Sequence, residues 1–581
     1  MKSRPVLFLL LFALALYHSF ADEDGGSDAQ VAGQYVKWAE QAIEEDRWAD
    51  ALTALERASG FENVSSDISY LLAVTRSHEK KSRYDVIEAL DAAIETNRWV
   101  NYNEDKALLL KANQLAGMHR FSAALSVIDQ MAADIDAAHD REMVRLLALR
   151  GMASVPGNAH ELARFRSLVL TAMDRYPRSP APLRIFFEYA RNRKPDPSES
   201  DLDLLELALR RLPFLLETDP ELAWLAAPFM READAIRLIS SYRAGGFSRD
   251  RNFRPSPASI PAALNLGLIG DEEAIGELFA VTSANGEKSL DKDIITEIDS
   301  LLRSEEGRKS LTEKLLSFTG VIFSNETEDG YIESRVTCRS GVIQGLVYDR
   351  DTDGLFNMKI SFSADGVPSS AEYRIAGEPE SMALVKWERY PSVEQIVLAE
   401  EKFLFRPADF QFAPVAFIGL GGSNNYSPLA YPAPAPQNME LTRRVMVSFC
   451  ASLIRPSVEI DGAQEQIFLE RGIPWQAVET LNGKQVSITE FERGMPTLQR
   501  IDLDLDGRME TVRRFRPAGP DFSETLDYRS LIASSESDWT GDGQYKTGEV
   551  YLPDGSVVYT WDMDGSGVMN YSETGNNEEN K

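Results

Sequence analysis

The sequence predicts an α+β multidomain chain: an N-terminal all-α solenoid of helix pairs, then a mostly antiparallel, β-rich C-terminal region. Three observations carry this. Residues 30–245 are rich in Ala, Leu, Glu and Arg, which favour helix. One pattern returns there with its aromatics Trp48, Tyr84 and Phe121 spaced by 36 and 37 residues. After Gly320 the apolar period shortens to alternation, broken by Asn-Gly and Asp-Gly turns.

The first element is a leader, residues 1–21. Lys2 and Arg4 precede an apolar run from Val6 to Leu16 that is too short to cross a bilayer. Ser19 and Ala21 place small residues at −3 and −1, so cleavage is expected after Ala21. No cysteine follows that position, which excludes lipid attachment there. The leader predicts export, periplasmic or secreted, and the composition suits a bacterial envelope protein. The net charge is −30, and loss of Lys2 and Arg4 makes the remainder more negative. Such a surface repels nucleic-acid phosphates and anionic lipid heads, and attracts metal ions and basic protein patches. No internal apolar run reaches the roughly 20 residues of a membrane span.

Residues 22–245 form the helical region. Ala39 and Ala42 precede Arg47-Trp48, Ala51, Leu55 and Ala58. Arg83-Tyr84 precede Ile87, Asp91 and Ile94. Ala112 and Leu115 precede Arg120-Phe121, Ala124, Ile128 and Met131. In each set a basic residue and an aromatic open a helix with an inner face recurring every three to four residues. Small residues let backbones approach, and the aromatic is expected to fill the gap between successive pairs. These residues resemble the tetratricopeptide repeat, a resemblance that covers about residues 30–135. They depart from it in a period above the usual ~34, in Asp91 at an apolar position, and in lacking the closing Pro. A weaker fourth unit ends at Tyr176-Pro177, and Leu202–Arg243 is helical without a signature. The resemblance implies a concave groove for a peptide or protein partner, with Lys37, Gln41, Asn113 and Gln114 as candidate lining residues. Residues 246–320 read as a helical connector or cap, opened by Pro255, Pro257 and Pro261.

Residues 321–581 read as short antiparallel hairpins. A Gly- and Pro-rich stretch at 420–438 is expected to be a loop, or a break between two β units. Four segments space aspartates two apart before a Gly: Asp349-x-Asp351-x-Asp353-Gly354, Asp502-x-Asp504-x-Asp506-Gly507, Asp538-x-Thr540-x-Asp542-Gly543 and Asp562-x-Asp564-x-Ser566-Gly567. Oxygen ligands at positions 1, 3 and 5, with Gly at 6, are what a calcium loop requires. Asn357, Glu510 and Asn570 stand at position 9 of the first, second and fourth loops, and Glu549 and Glu573 at position 12 of the third and fourth. The loops resemble those of EF-hands and of integrin-type FG-GAP repeats, and the strand-like flanks favour the second. That resemblance implies Ca²⁺, with the second and fourth loops the best equipped. Aspartates also cap tight turns without any metal.

Cys338 and Cys450 are the two cysteines, and an exported chain permits a disulfide between them. No histidine follows His160, so the β-rich region holds neither a Ser-His-Asp triad nor a His-based zinc site. Acidic pairs such as Glu400 with Asp409, or Glu490 with Glu492, have no distinguishing context. The expectation is an exported protein-binding scaffold, not an enzyme, with no cofactor besides Ca²⁺. Two other readings stay open: an envelope structural or adhesin-like protein acting through the β half, and a carbohydrate-acting hydrolase.

Overall fold

The computed structural model describes residues 28–575 apart from 62–64, 80–81, 132–137, 156, 193–198, 249–252, 282–287, 325–331, 376–381, 420–429, 436–440, 503 and 518–525. The leader and its cleavage site lie outside the described residues. Two compact units result. The first holds the helical residues through Leu315, together with Gly320–Arg335 and Asp349–Phe356. The second holds Leu316–Thr319, Val336–Tyr348 and the chain from Asn357 onward. Among the described residues, no helix is long and apolar enough to cross a membrane.

The first unit is a stack of antiparallel helix pairs. They are α1 (Asp28–Glu44) with α2 (Trp48–Ser59), α3 (Ser66–His78) with α4 (Arg83–Thr96), α5 (Glu104–Gly117) with α6 (Phe121–Gln130), and α7 (Ala138–Ala153) with α8 (Ala159–Arg175). Each second helix also packs on the next first helix through α7. Ala39, Ala51, Ala58, Ala112 and Ala124 are fully buried where these helices meet, as the small-residue pattern requires. Leu55, Leu90 and Ile128 fill the remaining space.

The residue that opens each second helix reaches the end of the next first helix. Trp48 stacks on His78 of α3, with ring centroids 3.7 Å apart. Phe121 lies on Gly151 of α7, where any Cβ would overlap its ring. The middle unit departs from the expectation. Tyr84 is half exposed, and Arg83 is buried in its place with its guanidinium on Gly117 of α5. Arg83 also donates to Gln114, which donates to Ser77 at 2.8 Å. Gln114 is therefore an internal bridge, not a groove residue, whereas Lys37, Gln41 and Asn113 are exposed. Asp91, the anomalous acid, pairs with Lys111 of α5.

Helices α9 (Ala181–Asn192), α10 (Glu199–Arg211), α11 (Leu222–Ala226) and α12 (Glu232–Arg243) continue the unit. The expected connector is helical too: α13 (Ile260–Asn265), α14 (Asp271–Phe279), α15 (Lys292–Leu301) and α16 (Glu305–Leu316). Asp271 accepts the Ser304 N–H and hydroxyl at 2.9 and 2.6 Å, holding the turn between α15 and α16. A parallel pair, β1 (Ser289–Asp291) and β2 (Gly320–Ser324), completes it.

The second unit is a long antiparallel meander. Its strands are β3 (Ser334–Arg339, which enters the unit at Val336), β4 (Val342–Tyr348), β5 (Met358–Phe362), β6 (Pro368–Arg374), β7 (Met382–Arg389), β8 (Ser392–Leu398) and β9 (Glu401–Leu404). A two-stranded ribbon follows, β10 (Val415–Gly419) with β11 (Ala430–Pro434), then helix α17 (Arg443–Phe449). The sheet resumes with β12 (Ser452–Pro456), β13 (Gln464–Glu470), β14 (Ile473–Leu481), β15 (Lys484–Glu492), β16 (Met495–Ile501), β17 (Thr511–Phe515), β18 (Ile532–Ser537), β19 (Thr547–Tyr551), β20 (Val557–Trp561) and β21 (Tyr571–Gly575).

The stretch expected as a break between two β units does not separate them. Its described flanks form the β10–β11 ribbon, and β12 pairs directly with β9, Ser452 opposite Leu404. The Asn482-Gly483 turn joins β14 to β15 with φ of 52° and 79°, the positive pair that a tight hairpin needs.

The expected disulfide is not formed. Cys338 on β3 and Cys450 after α17 are both buried free thiols, and burial pushes each up to about 12.

Candidate functional site

Two kinds of site emerge: aspartate hairpin loops, and clefts on the helical stack. The meander alternates direction at each strand, so the β16–β17, β18–β19 and β20–β21 loops share one end of it. These are three of the four aspartate loops. They are linked in series: the Asp538 N–H donates to the Glu510 carbonyl at 2.9 Å, and the Asp562 N–H to the Lys546 carbonyl at 3.0 Å.

The structure separates the four loops by what their carboxylates do. In the second, Asp502, Asp504, Asp506 and Glu510 each bring an oxygen within 4.8 Å of the others. Asp502, directly after the last residue of β16, is 3% exposed, and its N–H donates to the Val486 carbonyl of β15 at 2.9 Å. Its Oδ2 accepts the Gly507 N–H at 2.9 Å, and its Oδ1 has no hydrogen-bond partner.

In the first loop Asp349, Asp351 and Asp353 also converge. Burial, with the two neighbouring carboxylates, pushes Asp349 up to about 6. Asn357, expected as a ninth-position ligand, directly precedes β5, its N–H donating to the Tyr348 carbonyl at 2.8 Å. The loop packs with the helices of the first unit: the Tyr84 N–H donates to the Asp353 carbonyl at 3.1 Å, and Arg83 Nε to the Thr352 hydroxyl at 2.6 Å. Gly354 lies against Ser82 at φ 87°, leaving no room for a side chain.

The third and fourth loops do not gather their acids. In the third, Lys546 Nζ sits 2.6 Å from both Asp542 Oδ2 and Thr540 Oγ1. Asp538 accepts backbone N–H groups from Thr540, Gly541 and Gly543, and Glu549 is turned to the Tyr551 hydroxyl. In the fourth, Asp562 accepts the Ser566 and Gly567 N–H groups, and Asp564 also accepts from Ser566. Asn570 Oδ1 accepts the Met563 N–H at 2.9 Å, and Glu573 stands exposed on β21. The fourth loop, ranked with the second on its sequence, is an exposed hydrogen-bonded turn. Acidic clusters that could hold a metal ion are thus confined, among the described residues, to the first and second loops.

Sequence reasoning missed a buried ionic cluster on β13 and β14. Glu465 and Glu479 face each other across the ladder at 0% and 1% exposure. Arg529 Nη2 donates to both, at 3.0 and 2.7 Å, and Arg455 holds Glu465 at 2.6 Å. Tyr528 closes over Glu465 with its hydroxyl. Burial opposes ionisation of Glu465, yet Arg455 and Arg529 hold its carboxyl below the ordinary value. The signal was present as acids at inward strand positions, but the arginine that meets them lies some fifty residues away. Of the acidic pairs noted earlier, Glu490 is tied to Arg500 at 2.8 Å.

The helical stack carries open clefts. One of about 470 Å³ between α7 and α8 is lined by Arg145, Leu149, His160, Ala163, Arg164 and Leu168, among others. Another of about 320 Å³ on the first pair is lined by Tyr35, Trp38, Gln41, Arg47 and Arg57, among others. Trp38 is half exposed there.

No family model matches the chain. An uncharacterized protein of Treponema pallidum (strain Nichols) is 20% identical to it, over 89% of this chain and 79% of that protein. Among solved structures, a tetratricopeptide repeat protein from Parabacteroides merdae superposes with a TM-score of 0.32 and 10% identity, over 49% of this chain and 98% of that one. Yeast Tom70 superposes with a TM-score of 0.17 and 13% identity, over 49% of this chain and 84% of that one. At these scores the superpositions add nothing to the helix-pair stack, which stands on its own contacts.

Proposed function

We propose that the chain is an exported, non-enzymatic scaffold that binds a protein or peptide partner along its helical stack. The observation that supports this is the stack itself. Wedged residues hold successive pairs side by side and leave open clefts with apolar floors and arginine rims, such as that of Arg145, Arg164, Leu149 and Leu168. An extended or helical segment with apolar anchors and acidic flanks suits such a cleft. In the β-rich unit we infer that the aspartate hairpins bind calcium, with a stabilising role.

The test uses the full chain as bait in the compartment it reaches, beside the double variant Arg164→Glu with Leu168→Asp. A partner held by the wild type and lost by the variant, with unchanged helical circular dichroism, supports the reading. Equal capture by both overturns the cleft as the binding surface. Recovery of the wild-type chain only from the cytoplasm on fractionation overturns export.

A further inference from the structure

We infer that the loop Asp502–Glu510 is the calcium site on which the β-rich unit depends, and that the equally acidic loops at 538–549 and 562–573 are closed turns that take no ion. This rests on the calcium reading above and assigns it to one loop.

The decisive group is Asp502. Its side chain is almost wholly buried, one oxygen is satisfied by the Gly507 N–H, and the other meets no donor. A buried carboxylate oxygen without a donor is unfavourable unless a cation meets it. Three more carboxylates converge on the same place. Asp504 and Asp506 each spend one oxygen on the loop's own backbone, at 3.0 Å to the Asp506 N–H and 2.8 Å to the Arg508 N–H. Asp504 keeps its second oxygen for an ion, and that of Asp506 has Arg508 Nε at 4.0 Å, too long for a hydrogen bond. Glu510 supplies the fourth carboxylate from across the turn. All four are hard oxygen donors on a loop, a set that suits Ca²⁺ better than Mg²⁺, which demands near-ideal octahedral geometry.

The other two loops of the row already contain what an ion would provide. In the third, the Lys546 ammonium occupies the position between Asp542 and Thr540. In the fourth, Asp562 has both oxygens on backbone N–H groups, and Asp564 and Glu573 are solvent-exposed. Occupancy of the second loop also has a route outward. The Glu510 carbonyl accepts the Asp538 N–H, so fixing Glu510 fixes the start of the next hairpin.

The experiment measures CaCl2 binding to the full chain by equilibrium dialysis, alongside thermal melting and hydrogen exchange. Asp506→Asn and Glu510→Gln are compared with Asp564→Asn. Asp506 and Asp564 are exposed, so neither change threatens folding. The wild type is expected to bind with a dissociation constant of about 10⁻⁴–10⁻³ M, to melt higher with CaCl2, and to gain amide protection at 538–546. Asp506→Asn and Glu510→Gln are expected to weaken binding roughly tenfold or more, and Asp564→Asn to leave it unchanged. MgCl2 is expected to raise the melting temperature less than CaCl2. If Asp506→Asn and Glu510→Gln bind as the wild type does, the assignment falls while the calcium reading stands. If the wild type neither binds nor shifts, both fall. Equal shifts with MgCl2 overturn the choice of ion.

Discussion

The helical unit and the β-rich unit are both linear arrays, yet they bury different things. In the stack, each helix packs on its neighbours in sequence, and the contact surfaces are alanine and leucine. In the meander, each strand pairs mainly with its neighbours, but an inward face over β12 to β18 is largely polar: Glu465, Glu479, Ser487, Thr489, Gln499, Thr511 and Ser535 are all buried. Apolar burial is non-directional and tolerates relaxation. A buried polar face requires a partner for each group, so damage there is less forgiving.

The sharpest way to break this comparison is at Arg529. Replacing it with Met leaves Glu465 and Glu479 buried with one cation fewer, and is expected to cost about 3–5 kcal/mol. Urea unfolding measures it, and a loss below about 1 kcal/mol would show that the ionic cluster is not a keystone of the sheet. Its counterpart in the stack is Leu90→Ala, which removes a fully buried side chain of α4. That change is expected to cost about 2–5 kcal/mol, with hydrogen-exchange protection lost chiefly in α3 to α5. Loss spread evenly over all helices would contradict nearest-neighbour packing.

A smaller effect tests the wedge between pairs. Gly151→Ala places a methyl against the Phe121 ring and is expected to cost about 1–3 kcal/mol. Adding Phe121→Leu should recover part of that loss, and strict additivity of the two would refute the contact. The mildest perturbation is pH. Glu465 is held below its ordinary value of 4.5, so it contributes stability that is present above that pH. The contribution is lost as pH falls through the lower folded value. Acid titration followed by β-sheet circular dichroism should therefore show a loss below about pH 4.5 that Glu465→Gln removes.

Much of the architecture was readable in advance. The repeat was visible because Ala51, Ala124 and the opening basic-aromatic pairs are local in sequence. The hairpins were visible because Asn482-Gly483 and its kin require positive φ. The failures were of another kind. Arg83 and Tyr84 are adjacent, and nothing local says which of them turns inward; Gly117, in the next pair, decides it. Gln114 looked like a groove residue because its partners Arg83 and Ser77 come from the preceding pair. Ligand identity alone ranks the fourth aspartate loop beside the second, because burial is not visible in a sequence. Asp502 and Asp562 occupy the same motif position, but Asp502 is buried and Asp562 is only partly so.

The pairing of β9 with β12 has one more consequence. The chain leaves the sheet at Leu404 and re-enters it at Ser452, directly opposite. The forty-odd residues between them are an excursion whose two ends meet. The sheet's register owes nothing to their number, so this is the place where the protein can lengthen, shorten or exchange a segment without re-threading its strands. What limits such editing is the underside of the excursion, where Trp387 donates to the Phe412 carbonyl and Tyr390 to that of Val415.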